Sequence, residues 1–466
     1  MLDGINGNVT IDKVEAPLHV ADLERFDLSI RELQGNILKG HGRDHTAFLI
    51  LKFKPSQQPA VRRWLHRLES EVTSTSEQLD MAKDRLKARA VGATFSSVLL
   101  SASCYRYLEL PLTGFSMEFL GGMKAAQVSL GDPLPQAWEP GYQGEIHALV
   151  MLADSDLDRL KTATSARKTE LVEIAEILAT EFGKAIRDKS DPKTTFEHFG
   201  YADGISQPVF IADTVAEIQQ KQGIDKWDPS SGPNLVLVLD PLGQSPNAFG
   251  SYVVFRKLEQ NVQAFVKAKN SLAVSLDPPD PKIAGALAIG RFEDGTPIAG
   301  GRLPNAGGRS TNNFNFNDDL KGDFCPFHAH IRKVNPRGTG QGEVNFEAKH
   351  RIARRGIPYG EKVDLAGDVE TLPTAGRGLL FVCYQRSIRN QFEFLQAQWG
   401  NKRDFPVSEA GIDPIIGQVS QSVAQRWPQK FATLASPRTE FAMQNFVTLK
   451  GGEYFFAPSR SFLRTL

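Results

Sequence analysis

One pattern restricts the fold of this chain more than any other: a short, β-rich apolar run followed by a helical one, four times over. "TAFLILKF" leads into "SQQPAVRRWLHRLESEV", and "HALVMLAD" into "SDLDRLKTATSARKTELVEIAEILATEF". Further on, "SYVVFRKL" leads into "EQNVQAFVKAKNSL", and "GLLFVCYQ" into "RSIRNQFEFLQAQW". The first member of each pair is rich in Val, Ile, Leu and Phe, while the second spaces its apolar residues about 3.6 apart with charges between. Two such units per half predict an α+β chain of two tandem ferredoxin-like (split βαβ) domains with antiparallel sheets. The spacing is too irregular for a solenoid. "KWDPSSGPNLVLVLDPLGQSPNAFG", rich in Pro, Gly and Ser, separates the halves and divides the chain into domains of residues 1–230 and 231–466.

With 466 residues and 41% hydrophobic content the chain can bury a large core. Lys plus Arg equals Asp plus Glu at 54 each, so the overall charge points to neither nucleic acid nor an anionic membrane surface. The N-terminus has no basic start and no apolar core of a secretory signal, and no apolar run reaches membrane-span length. Cys104, Cys325 and Cys383 are widely spaced, which fits a reducing compartment, and the expected location is the cytoplasm.

Four stretches carry residues suited to chemistry. In "EHFGYADGISQPVF", Gly200 and Gly204 let the backbone turn sharply around Asp203, and Pro208 discourages a helix beyond it. An Asp-Gly pair is also commonly just a turn. In "FCPFHAHIRKVNPR", His328 and His330 share one face if the segment is extended, and a His-x-His pair can ligate a metal, with Cys325 as a conceivable third ligand. No Cys-x-x-Cys or His-Glu-x-x-His accompanies them to close a zinc site. A single histidine ligating a haem iron needs less: an apolar pocket and cations for the propionates, which Arg332 and Arg337 can supply. The alternative is a satisfied histidine flanked by exposed arginines. In "HRIARRGIPYG", a strand puts Ile352 and Arg354 on one face and Arg351, Ala353 and Arg355 on the other, so at least one arginine turns inward and requires an anion. No interleaved aromatics accompany these cations as a nucleic-acid surface requires. In "GLLFVCYQ", Leu379 and Phe381 share a face, as a pocket wall or as core. The loop-rich stretch from "LDPPDPKIAG" to "NNFNFNDD" is long enough to edge a site, or is surface decoration.

Together these stretches resemble the dye-decolorizing peroxidases. "GYADG" looks like the family's GxxDG motif, "CPFHAHIRKVNPR" its proximal-histidine segment, and "RIARRGIPYG" with "GLLFVCYQRSIRNQFEFLQAQW" its distal-arginine strand and the following unit. "LQGNILKGHGR" and "IGRFEDGTPI" also fit, so the resemblance runs from about residue 31 to the end and suggests the longer, cytoplasmic branch. It implies two ferredoxin-like domains with haem b held mainly by the second. His330 is then the iron ligand, Asp203 the distal acid-base residue, Arg354 the distal arginine and Arg337 a propionate partner. Leu379 and Phe381 form the distal wall, and Arg332, Gly204 and Ser206 complete the cofactor-binding set. Asp413 in "GIDPIIG" is a candidate to fix the tautomer of His330.

The implied reaction is reduction of hydrogen peroxide followed by one-electron oxidation of small aromatic donors, phenols or dyes, with an acid-shifted optimum because an ordinary aspartate titrates at about 3.9. Neither nucleic acid nor membrane is an expected partner, and the chain acts as a monomer or homodimer. Bulky dyes require electron transfer from Tyr or Trp at the surface. Tyr359 and Trp399 lie near the motifs, without grounds to choose among such aromatics. The rival reading is a haem-handling protein with little turnover. "RRWLH", Arg62 to His66, resembles the distal Arg and His of plant-type peroxidases only superficially and reads as a solvated helix face.

Overall fold

The computed structural model describes residues 10–87, 93–187, 194–304, 312–338 and 344–466. Its centre is a ten-stranded antiparallel sheet. The first half supplies β1 (His45–Phe53), β2 (Phe95–Ser101), β3 (Ala148–Asp154) and β4 (Ala175–Lys184). The second supplies β5 (Phe249–Gln260), β6 (Ala353–Arg354), β7 (Ile357–Tyr359), β8 (Gly378–Gln385) and β9 (Val447–Ala457). The order is β6–β8–β5–β9–β2–β3–β1–β4, with β7 also on β8 and the short strand Val238–Leu239 on β5.

Each half follows the split βαβ plan. Helix α1 (Gln58–Glu69) connects β1 to β2 and α2 (Leu157–Leu171) connects β3 to β4, while α3 (Val262–Val274) follows β5. The unit after β8 is a wide-turned π-helical segment, Arg389–Glu393 continuing as Leu395–Gly400. The sheet crosses from one half to the other where Phe455 and Phe456 of β9 pair with Ser101 and Leu100 of β2.

All four sequence-read strand-helix units are present, but the second was read too far as helix. Helix α2 ends at Leu171, and "AEILATEFGK" is β4, hydrogen-bonded along β1. Pairing with β1, which no local propensity encodes, overrides the helical tendency of that stretch.

The sheet curls until its outer strands meet. Gly183 of β4 lies so close to β7 that a Cβ there would stand 2.3 Å from Ile357 Cγ2. Polar groups tie the same region: Lys257 Nζ donates to Glu139 (2.7 Å) and to Glu181 of β4 (2.9 Å), Tyr142 donates to Glu181 (3.0 Å), and the ammonium lies over the Tyr359 ring of β7. Near-closure leaves little unpaired strand edge to recruit other chains.

Candidate functional site

Alternation along the strands of the second half turns Arg256, Leu258 and Gln260 of β5, Leu379 and Phe381 of β8, and Leu449 of β9 toward one side. There they form the floor of a cavity of about 280 Å³. Phe392, Leu395 and Gln396 of the π-helical segment close one flank. Wide π turns recur at functional sites because they displace side chains from the regular helical register.

His330 opens a short helix, His330–Val334, and lines the cavity. Its Nδ1 is 2.8 Å from Asp413 Oδ2. Asp413 is fully buried, and its other oxygen accepts the backbone N–H groups of Ile415 (2.8 Å) and Ile416 (3.0 Å). A carboxylate so held keeps the proton on Nδ1 and leaves Nε2 with a lone pair, as in metal-ligating histidines.

The extended reading of Phe324 to Arg337 does not hold, because the segment turns into this helix. His328 is buried elsewhere, with Nδ1 on the Ala410 carbonyl (3.1 Å) and its ring edge-on to Trp427; burial pushes its pKa down to about 3. Arg332 is likewise not in the cavity wall. It is fully buried, donates to Asp319 and to the Cys325 carbonyl, and is stacked against Phe316 and Phe327. On a helix, residues two apart point roughly 160° away from each other, so Arg332 cannot share the face of His330.

On another wall the turn around Asp203 uses positive φ at Gly200 (95°) and Gly204 (76°). Asp203 Oδ1 accepts from Gly204 N (2.6 Å) and from Arg354 Nη1 (3.3 Å), while Arg354 Nη2 donates to the Ser206 carbonyl (3.3 Å). Oδ2 carries no hydrogen bond among the described residues, so it is the oxygen able to take a proton. Asp203 and Arg354 keep 32% side-chain exposure each and line the cavity together. The neighbouring arginine faces the other way: Arg355 donates to the Asn36 and Ile37 carbonyls of the first half, inside the "LQGNILKGHGR" stretch.

Sequence reading passed over Glu197, which lines the same wall. Its carboxylate accepts the backbone N–H groups of Phe199 (2.8 Å) and Tyr201 (2.9 Å) and the Gln260 amide (2.6 Å), shaping the turn that presents Asp203. Burial pushes its pKa up to about 7, against those hydrogen bonds.

A third wall is cationic. Arg337 and Arg291 both donate to Asn312 Oδ1 at 2.7 Å, Arg337 also donates to the Asn312 and Phe314 carbonyls, and Arg351 donates to the Asp228 carbonyl. Arg337 also lies 3.4 Å from Ser206 Oγ. All three arginines line the cavity, and none forms an ion pair among the described residues. Arg256 and Arg332, by contrast, each hold a buried aspartate. Burial, then the charges of Arg291 and Arg351, drive the Arg337 pKa well below the usual range. Buried cations without a counter-ion are costly, so this wall is built to receive an anion. Arg351, assigned from sequence to the opposite face, reaches the cavity because only Ala353 and Arg354 are regular strand there. Arg291 lies in "IGRFEDGTPI", and its signal was a lone arginine directly after an apolar helix.

Tyr359 and Trp399 are buried, the latter stacked on Phe405. His66 is exposed on α1, outside the cavity.

Comparison with known proteins identifies the family. Residues 292–406 match the family model described as "Dyp-type peroxidase, C-terminal". The chain is 38% identical over 449 residues to the multifunctional dye peroxidase DyP2 of Amycolatopsis sp., covering 93% of this chain and 95% of that one. It is 32% identical to the dye-decolorizing peroxidase msp1 of Mycetinis scorodonius, covering 94% and 88%. The crystal structure of the Anabaena sp. DyP-type peroxidase AnaPX superposes with a TM-score of 0.90 at 40% identity, covering 98% of both chains. With likeness of this extent along nearly its full length, the chain belongs to the dye-decolorizing peroxidase family and is a peroxidase.

Proposed function

We propose that the chain holds haem b in the main cavity, reduces hydrogen peroxide on the side of Asp203 and Arg354, and oxidises phenolic or dye-like donors one electron at a time. One observation carries this reading: a single cavity joins a histidine backed by a buried aspartate, an Asp–Arg pair, and a wall of three arginines, two of them buried, that form no ion pair among the described residues. These residues fit the cofactor. His330 Nε2 would ligate the iron, and Arg337, with Arg291 and Arg351, would receive the propionates. Leu379 and Phe381 would form the apolar wall.

When bound, haem supplies the redox chemistry: it accepts two oxidising equivalents from peroxide and returns them singly to donors. The chain handles the proton. Asp203 Oδ2 takes it from the proximal peroxide oxygen and delivers it to the departing one. Arg354, held by Asp203 and the Ser206 carbonyl, stabilises the negative charge growing on the departing oxygen without having to reorient. A storage protein needs neither group, which disfavours the haem-handling reading.

The same reading divides the chain into domains of residues 1–230 and 231–466, with Asp203 reaching the cavity from the end of the first. Among the described residues no helix is long and apolar enough to cross a membrane. Three buried free cysteines favour a reducing, cytoplasmic setting.

Stopped-flow absorption of the haem-loaded protein mixed with one equivalent of hydrogen peroxide tests the proposal. A rapid shift of the Soret band that a phenol then reverses supports it. A ferric spectrum indifferent to peroxide refutes turnover, and failure to take up haem refutes the whole reading.

A further inference from the structure

Of the His-x-His pair, His330 lines the cavity, while His328 is buried behind it and does not. His328 Nδ1 lies 3.1 Å from the Ala410 carbonyl, which can only accept, so that nitrogen carries the hydrogen and Nε2 is left as an acceptor. Nε2 is buried with no hydrogen-bond partner among the described residues. An orphaned buried acceptor is costly, and a phenylalanine would pack against Trp427 without one. Packing alone therefore does not account for a histidine here. The Nδ1–H does.

Its hydrogen bond ends on the loop of residues 400–413, which carries Asp413. The loop closes on itself where Asp413 N donates to the Gly400 carbonyl and Gly411 N to the Arg403 carbonyl, both at 2.9 Å. Residues 402–404 and 407–409 are exposed. Glu409, directly before Ala410, takes a φ of 57°, which a residue other than glycine adopts only at a cost. A loop of this kind has to be held from its inner side. Lys333, three residues after His330 on the same helix, is fully buried, and its Nζ donates to the carbonyls of Lys402 (2.7 Å) and Phe405. His328 holds Ala410, and His330 meets Asp413 at 2.8 Å. Three side chains of one short segment thus grip the loop at four points.

We propose that His328 is a positioning residue for His330: by donating to the Ala410 carbonyl it fixes the end of the loop that carries Asp413, keeping that carboxylate aligned on His330 Nδ1 and His330 Nε2 electron-rich. The inference rests on the reading of His330 as the haem ligand. It gives the first histidine of the pair a part in the same site without contact to the cofactor.

Two measurements test it. Resonance Raman of the ferrous, haem-loaded protein reads the iron–histidine stretch, and NMR of the haem-free full chain with isotopically labelled histidine reads the His330 Nδ1 proton directly. His328→Phe keeps a ring beside Trp427 and removes the donor, with no change of charge because the buried imidazole is neutral. It should lower the stretching frequency, raise the ferric–ferrous midpoint potential, speed exchange of the His330 Nδ1 proton with water, and weaken haem affinity about tenfold. His328→Asn loses the ring but sets an amide N–H near the place of Nδ1–H, and should bring all four back toward the parent. His328→Leu replaces His328→Phe if the latter does not fold. A parental stretch and a parental exchange rate in the variant without the donor would overturn the proposal. Equal shifts in His328→Phe and His328→Asn would also overturn it, by assigning the effect to packing. A parent protein with no iron–histidine stretch would refute His330 as the ligand, while proton exchange in the haem-free chain would still decide what His328 does.

Discussion

The two halves repeat one plan and use it in opposite ways. In the first, α1 lays Val61, Trp64, Leu65 and Leu68 against the core, all buried, with Trp64 edge-on to Phe53 of β1. In the second, the residues turned to one side of β5, β8 and β9 form the floor of the cavity, and helices stand at its edges. A sheet face covered at once by its own helix is spent on stability. One left open must be covered by something else, and here the cavity over that face is also walled by arginines without an ion pair among the described residues. The difference teaches that in a repeated fold the site lies where the repeat fails to pack on itself.

The sharpest way to break this comparison is at the Asp203–Arg354 pair. Asp203→Asn should slow the reaction with peroxide about 10²- to 10⁴-fold, the usual contribution of a positioned acid-base group, while haem binding and thermal stability stay as they were. A stopped-flow rate near that of the parent protein would remove Asp203 from the reaction. Leu65→Ala, in the first half, should do the reverse: about 2–5 kcal/mol of unfolding free energy lost in urea titration, with the peroxide rate of the remaining folded protein unaltered. Arg337→Met should weaken haem loading about ten- to a hundredfold, the worth of a charge-assisted hydrogen bond, without a comparable loss in the haem-free protein, since a repelled, unpaired charge leaves with the side chain. Haem titration alongside thermal melts separates the two effects.

The smallest effect is on pH dependence. His147, in the first half, accepts the Phe53 N–H at 2.9 Å through Nδ1 and must be neutral to do so. Burial pushes its pKa down to about 4 from 6.5. The unfolded chain therefore binds a proton that the folded one does not between those values, and stability falls as pH drops from 6.5 toward 4, by about 1 kcal/mol per pH unit at most. Urea midpoints for the parent and His147→Gln should converge in acid.

How much of this was legible in the sequence follows from the range of each interaction. The four strand-helix units announce themselves locally, and the motif order brought His330, Asp203, Arg354, Arg337, Leu379, Phe381 and Asp413 into view before any coordinates. Strands β2, β4 and β9 did not stand out, because pairing with neighbours far along the chain gives them their form. Arg332 was assigned to the cofactor for its nearness to His330 in sequence, where the chain coils and turns it away. Glu197 was hidden for another reason: its role lies in backbone N–H groups two and four residues on, which no side-chain pattern displays.

Arg354 and Arg355 are adjacent yet point in different directions, one toward Asp203 and the other clamped to the carbonyls of Asn36 and Ile37. Mechanically, the reactive guanidinium sits at the end of a lever one residue long whose fulcrum is anchored to the segment just before β1. Loosening that anchorage with heat, or stiffening it by design, would register first as a change in how steadily the catalyst is aimed, well before the protein comes apart.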